Sequence, residues 1–121
     1  MTELRALELK AFVPARDHAL SKRFYQDMGF TLASDEDGTA YLHHGPVSFL
    51  LEDGCPDGLA QHLMMHLLVD DIDAWWQRLQ QAGLVERYGV TLGPIRLQPW
   101  RMRDFVLTDP SGVRWLIAQN V

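Results

Sequence analysis

The sequence predicts an α+β fold of two tandem β-α-β-β-β modules, with curved mixed sheets and helices packed on one face. Two observations carry this. A helix cap and a closing glycine recur at the same interval: Asp17 and Asp71 are 54 residues apart, and so are Gly29 and Gly83. Around each pair the same order of strand, cap, amphipathic helix and terminator is repeated, which marks a duplicated unit. The chain of 121 residues has an average balance of apolar and charged side chains, so it can bury one core and is neither a disordered tail nor a coiled coil.

The first module, about residues 7–53, opens with an apolar strand over 7–13. Pro14 stops it, and Asp17 can accept a hydrogen bond from the free amides of the next turn. Leu20, Phe24 and Met28 recur on one helical face. Gly29 suits the left-handed residue beyond the last turn. Three short strands follow at about 30–34, 40–44 and 47–52, with Asp37-Gly38 and Gly45-Pro46 as turns.

The second module, about residues 61–120, repeats the plan. An apolar run over 63–69 leads to the cap Asp71, then to Ile72, Trp75, Trp76, Leu79 and Ala82 on one stripe. Strands are expected at about 85–92, 101–108 and 113–119, the last two joined by Asp109-Pro110-Ser111-Gly112. Phe24, Trp75 and Trp76 read as core. The modules form one domain spanning 1–121.

Charge and cysteine content narrow the partners. A net charge of −5 repels phosphate backbones, so nucleic acid is not an expected partner. No apolar run reaches the ~20 residues of a membrane helix. The first twenty residues carry Glu3, Arg5, Glu8, Lys10, Arg16 and Asp17 and lack the apolar centre of an export signal, so the expected location is the cytoplasm. The single cysteine, Cys55, lies in a Gly/Pro turn and cannot form an intrachain disulfide.

The paired modules, with Arg16-Asp17, Phe24-Tyr25, Gly29-Phe30, Val69-Asp70-Asp71-Ile72 and Asp109-Pro110-Ser111-Gly112 in that order, resemble the vicinal oxygen chelate superfamily. It comprises glyoxalase I, extradiol dioxygenases, and fosfomycin- and bleomycin-resistance proteins. Gln98-Pro99-Trp100 followed by Arg103-Asp104-Phe105-Val106-Leu107 is similar to the bleomycin-resistance branch. In that branch the tryptophan forms an aromatic wall of the ligand site; the resemblance implies this role for Trp100. The branch usually has glycine next, where this chain has Arg101.

The resemblance also names the positions where metalloenzymes of the superfamily hold a divalent ion. Here they read Lys10, Phe49, Met64 and Leu116. An ammonium repels a cation, two of the others donate nothing, and a thioether is too soft for Mg, Mn or Zn. No metal and no other cofactor is therefore expected. The alternative is a rebuilt site using His62 or His66 with Glu8 as ligand or base, which would make the protein a divalent-metal-dependent lyase, isomerase or dioxygenase.

Strand alternation then outlines a cup. With Lys10 and Met64 inward, Glu8, Phe12, His62, His66 and Leu68 face the same way, while Leu9, Ala11, Val13, Leu63, Met65, Leu67 and Val69 face the helices. Phe49, Leu116, Arg114, Tyr41 and Phe105 complete the expected lining. The expectation is a metal-free small-molecule binder, a homodimer with cups completed across the interface, that confers antibiotic resistance by capture. No catalytic residue is assigned.

Overall fold

A computed structural model describes residues 3–121. Strand β1 (Phe12–Ala15) leads into helix α1 (His18–Met28), and β2 (Thr31–Glu36), β3 (Thr39–His44) and β4 (Val47–Asp53) follow. A 3-10 turn (Ala60–His62) precedes β5 (Met64–Leu68). Then come α2 (Ile72–Gln81), α3 (Leu84–Tyr88), β6 (Arg96–Gln98), β7 (Met102–Thr108) and β8 (Arg114–Asn120). Two four-stranded mixed sheets result, ordered β1-β4-β3-β2 and β5-β8-β7-β6. In each, the strand before the helix pairs in parallel with the last strand, and the remaining pairs are antiparallel. The duplicated plan is thus realised in three dimensions.

The repeated caps act as their spacing predicts. Asp17 accepts from the Leu20 amide and Asp71 from the Ala74 amide, both at 3.1 Å. Gly29 and Gly83 both take positive φ, at 123° and 68°. A side chain there would add backbone strain that glycine avoids.

The inner faces of both sheets and the helices share one core. Tyr25, Phe30, Phe49 and Trp115 meet at its centre with ring centroids 4.8–6.3 Å apart. A buried polar chain joins the modules through it. The Tyr25 hydroxyl accepts from Trp115 Nε1 at 2.9 Å and donates to Asp109 Oδ2 at 2.6 Å. Asp109 Oδ1 in turn accepts the Ser111 and Val113 amides and fixes the hairpin turn. Burial drives the Tyr25 phenol well above its ordinary range. Burial also raises the Asp109 carboxyl, and its hydrogen bonds only partly offset this.

Three expected elements differ. The first strand starts at Phe12, not residue 7, because only residues 12–15 lie alongside β4. The preceding residues 3–11 form an arm tied to the sheet by the Leu50 amide on the Ala11 carbonyl and by the Tyr41 and Ser48 hydroxyls on the Glu8 carboxylate. Leu9 is 97% exposed and Ala11 is exposed, so neither faces a helix. Residues 85–92 do not form a strand. Gly83 and Gly89, both with positive φ, bracket helix α3, which buries Leu84. Its end is pinned to α1 by Tyr88 and Arg87, which both bond to Asp27. The matching strand is the shorter β6, which starts at Arg96, beyond the expected span of 85–92. Finally, His62 ends the 3-10 turn and lies outside β5.

Candidate functional site

Residues opposite one another across a ladder share a face, so the pairing register sorts the open side of each sheet. On the second sheet it presents Arg96, Asp104, Ala118 and Leu68 in one row and Val106, Leu116 and His66 in the next. Met64 and Arg114 pair in a third row with Thr108. On the first sheet Phe12, Leu50, Tyr41 and Ser34 form one row and Ser48 and His43 lie beside it.

Phe49 does not line this face. It is 1% exposed and packs on Tyr25 and Trp115, while Leu50 occupies the open-face position opposite Phe12. Phe49 and Leu116 are not equivalent positions, because the two hairpins differ in turn length. His44 pairs with Val47 across a two-residue turn, whereas Thr108 pairs with Arg114 across five residues. A one-residue slip moves a side chain to the other face. Phe105 is likewise a core residue: it stands opposite Ile117 and is 1% exposed, although it borders a groove.

That groove, of about 360 Å³, is bounded by Gly93, Pro94, Arg96, Gln98, Trp100, Asp104, Phe105, Val106 and Leu116. Trp100 stands at its rim on a three-residue hairpin loop between Gln98 and Met102, which pair directly. The loop closes through the Arg101 amide on the Gln98 carbonyl at 3.2 Å. Arg101 has φ 65°, the left-handed conformation such loops require before the second strand. Arginine therefore adopts the shape that glycine takes more readily, and the loop keeps its turn. It leaves Trp100 61% exposed, with an aromatic face free beside a groove.

The other expected lining residues fall into separate places. Glu8, Lys10 and Tyr41 cluster on the first sheet. Glu8 Oε2 accepts from the Tyr41 hydroxyl at 2.7 Å and from Ser48 Oγ at 2.5 Å. Lys10 Nζ is 3.6 Å from Glu8 Oε1 and 5.0 Å from the Tyr41 ring centre. The bonds from Ser48 and Tyr41 hold the Glu8 carboxylate below its usual range, and the same bond raises the Tyr41 phenol. His66 and the buried Phe49 border a second cavity of about 280 Å³ at the seam between modules, with Met65, Leu67 and Trp115. Only Trp100, Leu116 and the edge of Phe105 meet in the Trp100 groove. Gln98, Asp104 and Val106, which the sequence presents only as parts of the Trp100 motif, belong to it, and so does Arg96. The alternation of β7 puts Asp104 and Val106 on one face, and that signal was available.

The residues present do not fit a resident divalent ion. With the register corrected, the four positions are Lys10, Leu50, Met64 and Leu116, which still offer no oxygen or imidazole donor. Among the described residues no three His, Cys, Asp or Glu side chains are grouped to hold a metal. His62 and His66 are not brought together with Glu8, which is engaged by Tyr41 and Ser48.

Two βαβββ modules with a shared core and open sheet faces make up the fold. The chain belongs to the glyoxalase/bleomycin resistance protein/dioxygenase superfamily, whose family model matches residues 9–117. No curated protein sequence matches it. Among solved structures it is similar to a bleomycin-binding protein complexed with bleomycin, at TM-score 0.82 and 23% identity over 94% of this chain and 98% of the other. It is also similar to TnmS3, an antibiotic binding protein from Streptomyces sp. CB03234, at TM-score 0.77 and 26% identity over 100% and 99%. A bleomycin resistance determinant encoded on transposon Tn5 matches at TM-score 0.77 and 21% identity over 93% and 97%.

Proposed function

We propose that this protein binds a planar small molecule in the Trp100 groove and sequesters it unchanged, with no metal ion taking part. The observation that carries this reading is Trp100 itself. A large aromatic ring stands 61% exposed on a tight, strained hairpin, beside a groove of about 360 Å³. Burying that ring in the core would leave no such feature, and ligand pockets favour aromatic walls with a few polar groups. The donor-poor open faces favour capture over metal chemistry. The similarity to proteins that bind bleomycin and other antibiotics supports antibiotic resistance by capture.

The working form is a homodimer in the cytoplasm. Leu4, Leu7 and Leu9 in the N-terminal arm are 99%, 86% and 97% exposed, an apolar surface that a second copy would cover. The open faces of the two sheets hold complementary halves of the expected lining, Glu8, Lys10 and Tyr41 on one and Trp100 and Leu116 on the other. A second copy brings such halves together. The single cysteine suits a reducing compartment.

The test is titration of the protein with bleomycin, followed by tryptophan emission, and mass analysis of the recovered ligand. The expected result is saturable quenching, lost in Trp100→Ala, with the ligand recovered intact. Quenching that survives in Trp100→Ala, or recovery of a modified ligand, would overturn the proposal.

A further inference from the structure

The groove beside Trp100 has a nearly buried carboxylate that no cation pairs, although the exposed Arg96 borders the same groove. Asp104 is only 5% exposed, on the open face of β7, directly opposite Arg96. Its Oδ1 accepts from Gln98 Nε2 at 3.0 Å. Among the described residues no basic side chain forms an ion pair with it, Arg96 included. The other buried carboxylate, Asp109, contrasts with it: both its oxygens are engaged, by Tyr25 and by two backbone amides. A nearly buried carboxylate is costly unless it is paired and well bonded. Gln98 fixes one oxygen and the rotamer, and Asp104 borders the groove with Trp100, Val106 and Leu116.

We infer that Asp104, oriented by Gln98, is a specificity-determining residue that selects a planar ligand carrying a cationic N–H donor group, with the ring system stacked on Trp100. The inference rests on the Trp100 groove being the ligand site. An aromatic face and a carboxylate both favour a flat cation, the first through the ring quadrupole and the second through a charge-assisted hydrogen bond. The amide of Gln98 donates to Oδ1, so the second oxygen serves the ligand. A neutral or anionic planar molecule of the same size would leave that oxygen unpaired and is selected against.

The test compares two dyes of one ring system at pH 8, proflavine as the cation with N–H donors and acridine as the neutral analogue. On the unaltered protein, proflavine is expected to bind about tenfold or more tighter. Asp104→Asn, which keeps the size and can still bond Gln98, is expected to abolish that preference. Asp57→Asn removes the same charge from an exposed loop and is expected to leave it intact. Trp100→Ala is expected to weaken both dyes. Equal affinity of the two dyes for the unaltered protein would overturn the inference without needing any variant. So would an unchanged preference in Asp104→Asn, or an equal loss in Asp57→Asn, which would assign the effect to net charge. If both dyes bind Trp100→Ala as well as the unaltered protein, the groove itself is the wrong site and the inference falls with it.

Discussion

Replacing Tyr25 by phenylalanine removes one oxygen atom and tests the buried chain that joins the modules. That oxygen donates to Asp109 at 2.6 Å and accepts from Trp115 at 2.9 Å, and the whole residue is 0% exposed. Without it, a buried carboxylate oxygen and a buried indole N–H both lose their partners. Each orphaned group costs about 1–3 kcal/mol, more for the charged one, so a loss of about 3 kcal/mol is expected. With a urea m-value of about 2 kcal/mol/M, the unfolding midpoint should fall by about 1.5 M. The penalty should also depend on pH. Burial raises the Asp109 carboxyl in the folded state, and the Tyr25 bond is the strongest of the bonds opposing that rise. A carboxyl with a raised folded pKa contributes stability below its unfolded pKa that is lost as pH rises through the folded value. Removing the Tyr25 bond raises the folded value further. The penalty should therefore be smaller at pH 4, where the loss at the Trp115 N–H remains but the Asp109 carboxyl is protonated, than at pH 7. Paired urea curves of the two proteins at both pH values measure this, and the exposed carboxylates of Glu8, Asp35 and Asp73 cancel in the difference. A loss below about 1 kcal/mol at pH 7, or one equal at both pH values, would refute the reasoning.

Other substitutions test separate parts of the account. Ser21 is fully buried with no partner for its hydroxyl, so Ser21→Ala should raise stability by about 1 kcal/mol; a lower urea midpoint would contradict it. Arg101 holds φ 65°, so Arg101→Gly should stabilise by about 1 kcal/mol and Arg101→Val should destabilise, both read from thermal melts. Leu7→Asp with Leu9→Asp places charge on the exposed arm; sedimentation should show a shift from dimer to monomer, with the far-UV spectrum unchanged. A dimer of undiminished strength would show that the arm takes no part in assembly.

The parts of the fold written in short-range chemistry were legible. Asp17 and Asp71 cap their helices, the closing glycines take positive φ, and β5 shows Met64, His66 and Leu68 exposed with Leu67 buried, as alternation requires. What failed depended on partners distant in the chain. Leu7 and Leu9 have strand-like alternation, but a strand needs a neighbour, and β4 runs beside residues 12–15 only. Residues 84–88 contain Val85 in a run that suits a strand, yet Leu84 and Tyr88 lie four apart and dock on the core and on Asp27. Two expected lining residues, Phe49 and Phe105, are core residues. For Phe49 the cause is that the β3–β4 turn is shorter than the β7–β8 turn, which puts Leu50 at the open-face position. The Gln98-Pro99-Trp100 motif lies on the hairpin loop before β7, whereas the place of Asp104 beside Gln98 and opposite Arg96 follows from the register of β6 on β7.

The measurement that bears most directly on capture without a metal is calorimetric titration of bleomycin into protein stripped by a chelator, and again after incubation with Ni, Zn, Mn and Fe(II). Bound ions per chain are counted in each sample after dialysis. The account predicts near-zero metal in every sample and the same saturable heat before and after metal is offered. One ion held per chain, with binding that appears only in its presence, would contradict it.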